Sequence, residues 1–218
     1  MSLKEVNLKE DLEILFKNFK WNIVGIVDNE EKVHPIPKIP QVITGIFEHL
    51  GMEKIINLGE KYGAQIEYSG SREYPDLSLT GGKLDKKIIA FDIKSSRRNN
   101  DIKNRCSRMS LGSCAGYFLE PNIKKMGCKR PYSDYSEHWI VGIIYKWNPE
   151  KDGDELVSDI SIVIQEKWKI ASKSTATGDT AAMGSITNID NLHNGKGEFE
   201  SESDFETFWR QKGKGYKR

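Results

Sequence analysis

The chain has 218 residues, 37% of them hydrophobic and 30% charged, a balance that suits one sizeable folded core and excludes a disordered or fibrous polypeptide. No stretch has the apolar length to span a bilayer, and lysine and glutamate interrupt the N-terminal segment throughout. Neither a membrane span nor a secretory leader is therefore expected, and the expected compartment is the cytoplasm. With 33 basic against 32 acidic side chains, bulk charge shows no preference for a polyanion, so any phosphate binding has to come from local clusters such as Arg97-Arg98, Lys124-Lys125 or Lys129-Arg130.

Leu8, Leu12, Leu15, Phe16 and Phe19 fall on one face of a first helix. Residues 21–27 are rich in β-formers, Asp28-Asn29-Glu30-Glu31 has turn chemistry, and residues 32–36 read as a returning strand, which predicts a hairpin over 21–36. Pro35, Pro37 and Pro40 break the chain. Val42, Ile43, Ile46, Phe47 and Leu50 then mark an amphipathic helix that starts just after Pro40. Its polar face carries Gln41, Gly45, Glu48 and Met52 at helical spacing. Further strands are predicted over 77–79, 88–94, 138–145 and 161–168, with 139–145 apolar enough to be buried. Residues 172–185 are small and polar and suit a mobile binding loop. Ser203 with Glu206 has the spacing of a capping box for a helix that carries Phe205, Phe208 and Trp209. Helices mixed with mostly hairpin-connected strands predict an α+β fold, organised as one domain over 1–218.

Several chemistries are disfavoured. Cys106, Cys114 and Cys128 are odd in number and fit no zinc spacing, so reduced, structural thiols are expected. The four histidines are dispersed and no Gly-x-Ser-x-Gly elbow occurs, which argues against a serine hydrolase. His138, at the start of an apolar strand, reads as structural. The absence of a Walker-type loop argues against nucleotide-driven motion.

The informative segment is 74–94. Pro75-Asp76 leads into one strand, and Asp92-Ile93-Lys94 ends the next. Side-chain alternation sends Ile89, Phe91 and Ile93 to one face and Ala90, Asp92 and Lys94 to the other. A short connection through Gly81-Gly82 lets the strands pair antiparallel, which can bring Asp76 close to Asp92. Two adjacent carboxylates repel, a divalent cation between them relieves the repulsion, and oxygen ligands suit magnesium. Lys94 would sit beside that ion and a phosphate, and Glu48 could supply a further carboxylate. Phosphodiester hydrolysis needs these parts, with a metal-activated water as nucleophile. The alternative for Asp92 and Lys94 is a surface ion pair of small energetic consequence.

Beyond the motif, Val24-Gly25-Ile26-Val27, Ile46-Phe47-Glu48, Tyr74-Pro75-Asp76, Asp92-Ile93-Lys94, His138-Trp139-Ile140, Lys167-Trp168 and Gly184-Ser185-Ile186 occur in the order found in type II restriction endonucleases of the PD-(D/E)xK family, which the chain resembles over nearly its whole length. The resemblance implies the restriction-endonuclease-like fold, a mixed central β-sheet flanked by helices. It implies a homodimer that cuts double-stranded DNA at a short palindrome with Mg2+ to leave blunt ends. It places the metal on Asp76, Asp92 and Glu48, assistance to the attacking water on Lys94, and the dimer interface in the 21–36 hairpin. DNA contacts fall on Ser95 and Ser96, on Arg72, and on the recognition loop with Ala176, Thr177, Gly178, Asp179 and Thr180. Ala176 and Asp179 replace a glycine and an asparagine of the resembled enzyme. A carboxylate only accepts hydrogen bonds, so the target sequence is not expected to carry over. A methyltransferase of the same specificity is expected in the host. Two alternatives stay open: a structure-specific nuclease of the same family used in repair or recombination, and a DNA-binding relative without catalysis.

Overall fold

The computed structural model describes residues 6–70, 73–178 and 180–216. In chain order it contains α1 (Leu8–Phe16), β1 (Ile26–Val27), β2 (Val33–His34), α2 (Pro40–Tyr62), β3 (Gln65–Tyr68), β4 (Leu77–Thr80), β5 (Ile88–Arg97), β6 (Ser110–Ser113) and α3 (Cys114–Phe118). These are followed by β7 (Glu137–Trp147), β8 (Val157–Glu166), β9 (Ala171–Thr175), β10 (Ala182–Ser185), α4 (Ile189–His193) and α5 (Glu202–Lys214). The fold is α+β, with a central mixed sheet flanked by helices, as predicted.

The central sheet runs β3-β4-β5-β7-β8. β5 and β7 pair in parallel over nine residues, whereas the other neighbours are antiparallel. The parallel pair departs from the expected hairpin connectivity. It needs a crossover, and the chain supplies one through β6, α3 and the loops that follow, which bury apolar surface the hairpins alone would leave open.

Alternation along β5 and β7 divides the core into two layers. Ile89, Phe91, Ile93, Val141, Ile143 and Tyr145 point toward α1 and α2, where Leu12, Phe16, Ile43, Phe47, Ile55 and Leu58 complete the first layer. Phe47 is fully buried and meets Trp21 and Tyr145 ring to ring, at 5.3 and 5.1 Å. Burial of such a side chain contributes about 1.5–3 kcal/mol. The long helix α2 comes close to the sheet because Gly51 faces it: a Cβ there would stand 3.0 Å from Ile93 Cδ1. Pro40 at its first turn and left-handed Gly63 at its C-cap set its limits. It runs a dozen residues beyond the predicted apolar stripe.

Ala90, Ile140, Ile144 and Val163 point the opposite way. They pack against Met109, Leu111, Phe118, Met183 and Trp209, contributed by α3, α5 and the small sheet β6-β10-β9. Cys106, Cys114 and Cys128 are buried free thiols of this second layer, as expected.

Four local predictions shift. The 21–36 hairpin forms, but only Ile26↔His34 and Val27↔Val33 pair, because Asp28 takes up the turn backbone by accepting from Glu30 N and Lys32 N at 2.9 and 3.0 Å. The last predicted central strand starts earlier and ends at Glu166, after which Lys167–Ile170 forms a 3-10 turn. The final helix is capped by Ser201, whose hydroxyl accepts from Asp204 N at 3.1 Å, rather than by Ser203; Glu206 faces Arg210 one turn on instead. The polar stretch 172–185 is less of a loop than expected, since both its ends are strands and only 176–181 form the tip.

Candidate active site

The second core layer leaves part of the β5 face uncovered, and that gap is the site. Following Ala90 along the same face come Asp92 and Lys94, which open into a cleft of about 500 Å3 with Glu73, Tyr74, Asp76, Ser110, Gly112, Ser113, Gly116, Tyr117, Met126 and Gly127 on its walls. The antiparallel register Leu77↔Phe91, carried one residue further, sets Asp76 opposite Asp92. Asp76 Oδ2 accepts from the Ile93 backbone N–H at 2.6 Å, which fixes this carboxylate against the strand that bears the other. Lys94 Nζ donates to Asp92 Oδ1 at 2.6 Å.

Electrostatics follow from burial. The Asp92 side chain is 5% exposed and that of Lys94 26%. Burial first, and then the charge of Asp92, push the Asp76 carboxyl up to about 8, with Glu48 adding to the rise and Lys94 opposing it. Burial works against the Lys94 ammonium, but Asp92 and Asp76 outweigh it and hold this group above its ordinary value. The site therefore combines a cation that keeps its proton at neutral pH with an acid reluctant to lose one. A cation binding between two such acids relieves their repulsion, so the donor set fits a hard divalent ion.

The remaining predicted residues divide. Glu48, half-buried on α2, is felt electrostatically by both Asp76 and Lys94, but no group of three or more Asp, Glu, His or Cys side chains among the described residues is close enough to hold a metal. Glu48 thus lies near the pair without forming a preassembled third ligand. Ser95 Oγ meets Thr44 Oγ1 of α2 at 2.9 Å. Ser96 is buried, and its hydroxyl donates to the Ser107 carbonyl at 2.5 Å, so its proton is engaged within the protein. Ala176, Thr177, Gly178 and Thr180 lie at the β9-β10 tip, which hangs from the sheet walling the cleft: β10 pairs with β6, and Cys114 N bonds Ala181 O at 2.9 Å. Gly178 takes φ +50° there, and its carbonyl accepts from the Thr175 hydroxyl. Arg72 and Asp179 lie outside the described residues. Of the basic candidates, Arg98 is held by Asp159, Arg130 by Glu67 and Lys125 by Glu120.

Sequence reasoning missed the far wall of the cleft. Gly112 is required there: at φ +99°, its Cβ would stand 2.3 Å from the Tyr117 hydroxyl. Behind the site, the buried amine of Lys167 lies 3.8 Å from the Tyr74 ring centre and has no hydrogen-bond partner among the described residues. His138 is buried against the same cluster. Its Nδ1 meets the Tyr74 hydroxyl at 2.6 Å and its ring stacks on Tyr132 at 4.0 Å, which is the structural role expected of it. A larger cleft of about 750 Å3 opens elsewhere, but two of its three acids, Glu137 and Glu166, are each paired with a lysine.

A buried and a half-buried carboxylate with a charged lysine, set at adjacent strands of a mixed sheet on an open cleft, define a class of enzymes that hydrolyse phosphodiesters. The sequence profile of the restriction endonuclease EcoRV family matches residues 17–217, and the chain belongs to that family. It is 29% identical to the type II restriction enzyme EcoRV of Escherichia coli over 94% of this chain and 89% of that protein. The chain is accordingly a type II restriction endonuclease, a hydrolase that acts on DNA. No helix among the described residues is long and apolar enough to cross a membrane.

Proposed function

We propose that this protein works as a homodimer, binds a palindromic DNA duplex and, with Mg2+, cuts both strands to leave blunt ends. The observation that carries the reading is the Asp92–Lys94 ion pair in the cleft that also holds Asp76. Asp76 and Asp92 would hold the ion, with Glu48 as an auxiliary carboxylate. A bound Mg2+ supplies charge neutralisation at the phosphoryl oxygens and acidifies a nearby water.

The protein's own groups do the rest. Asp92 fixes the Lys94 ammonium at 2.6 Å and keeps it protonated, so that it can orient the attacking water and stabilise charge as it builds on the phosphoryl group. Asp76, tied to the Ile93 N–H, is held in position before any ligand arrives. Where the Thr44 and Ser95 hydroxyls meet, the one that accepts keeps its own proton free to donate to a phosphate oxygen. The 176–181 tip would read bases in the major groove. The hairpin exposes Val24, Ile26, Val27 and Val33, each at least half exposed, and so offers an apolar face to a second protomer.

The test is incubation of purified protein with several plasmids and Mg2+, beside an Asp92→Ala variant and an EDTA control, followed by sequencing of the cut ends. Discrete fragments from the wild type alone, with blunt ends at one palindrome, are expected. No cutting, or the same products from wild type and variant, would remove Asp92 from catalysis.

A further inference from the structure

The wall of the cleft opposite Asp92 is a tight turn with an unusual tip. Cys128 N bonds Lys125 O at 3.1 Å, and Gly127, third of the four residues, has φ +79°, the pattern of a type II turn. Met126 stands at its apex, fully exposed at 103%, and Ile123 nearby is 53% exposed. The turn is well anchored: Cys128 is buried below it, Tyr74 N bonds Gly127 O at 2.9 Å, and Lys129 N bonds Tyr74 O at 2.8 Å. Tyr74 lies two residues before Asp76, so the apex is tied to the strand lead that carries a catalytic carboxylate.

A rigid turn that projects a large apolar side chain into water gives up the burial which methionine normally obtains. Such a projection is explained by something that covers it. Around it, Lys124 and Lys129 have no ion-pair partner among the described residues, whereas Lys125 and Arg130 are engaged by Glu120 and Glu67. The patch is thus an apolar tip flanked by free positive charge on the rim of a cleft that takes DNA. Apolar side chains placed this way open base steps by partial unstacking, at a cost of a few kcal/mol per step offset by new contacts.

We infer that Met126 is a DNA wedge. It inserts against the base step beside the scissile phosphate, while Lys124 and Lys129 hold the flanking backbone, and its attachment to Tyr74 couples the opened step to the position of Asp76. The inference rests on the nuclease reading above and adds a positioning residue to it.

The test uses duplexes centred on the cut site identified from plasmid ends, with 2-aminopurine at successive positions, bound by full-length protein carrying Lys94→Ala so that the DNA stays intact. Fluorescence is expected to rise at one step beside the cut. Met126→Ala should abolish that rise, and Met126→Leu should retain it. In the otherwise wild-type enzyme, Met126→Ala should slow single-turnover cleavage roughly tenfold, with Met126→Leu near the parent rate. The melting temperature of Met126→Ala should not change, since the side chain is fully exposed. Cutting and 2-aminopurine signals identical in Met126→Ala and the parent would overturn the wedge alone. If neither parent protein binds or cuts the duplex, the nuclease reading falls and the wedge falls with it.

Discussion

Asp76 and Lys167 are displaced from their ordinary titration in opposite directions by the same cause, and stability should record both. Burial pulls the Lys167 ammonium down to about 7, against the opposing charge of Asp92. Unfolded, the lysine holds its proton up to about 10.5. The penalty of burying this cation is therefore complete below pH 7 and fades as pH rises toward 10.5. Asp76 behaves inversely. Its folded carboxyl titrates near 8 rather than 3.8, so its penalty is absent below pH 4, grows between the two values and is complete above 8. Without divalent metal, Lys167→Met should raise the melting temperature most at pH 6, and Asp76→Asn most at pH 9. For a chain of this size the scale is about 2–4 °C per kcal/mol. Calorimetry in EDTA across that range checks this, and parallel profiles for the two variants would mean that neither group titrates as the geometry implies. Asp92 and Lys94 were legible in the sequence because alternation along a strand is strict. Lys167 was not, since nothing in a Lys-Trp dipeptide says that its amine ends among three tyrosine rings.

At the scale of elements, the hairpin of β1 and β2 is the least self-sufficient part of the fold. Two paired residues per strand cannot sustain an isolated ribbon, and its apolar side chains face outward. If this face joins two protomers, the double variant Ile26→Asp with Val27→Asp should shift the protein from dimer to monomer in analytical ultracentrifugation with little change in the far-UV spectrum. A dimer that persists would place the interface elsewhere. The contrast with α2 is instructive. Its start was legible, where Pro40 sits, but its length was not, because Gly51 and Gly59 interrupt the simple apolar stripe. Those glycines make sense only against Ile93 and Leu79 of the sheet. Ser201 rather than Ser203 is the final cap, which the local pattern did not single out, and the helix it starts docks Phe205 and Trp209 into the second core layer.

For the molecule as a whole, the cleft exists because two core layers cover the central sheet unequally. α1 and α2 cover one face, whereas the small β6-β10-β9 sheet, α3 and α5 cover the other but leave a gap at Asp92 and Lys94. A site-specific nuclease of this kind endangers its own host, which is the basis for expecting a methyltransferase of matching specificity. The wild-type gene should yield far fewer transformants than Asp92→Ala in a host lacking such protection. Equal recovery of both, with active enzyme present and the genome intact, would refute the restriction role.

The sequence by itself determined the class of fold, the two strands of the site and the pairing of an acid with a base, because strand periodicity and turn residues act over a few neighbours. Asp76, Asp92 and Lys94 were readable for that reason. Only tertiary structure decided the parallel β5-β7 pair, the inward turn of Ser96, the standing-off of Glu48 and the wall formed by Gly112, Tyr117 and Met126. These depend on contacts between residues far apart in the chain, which packing and burial select and local pattern does not encode.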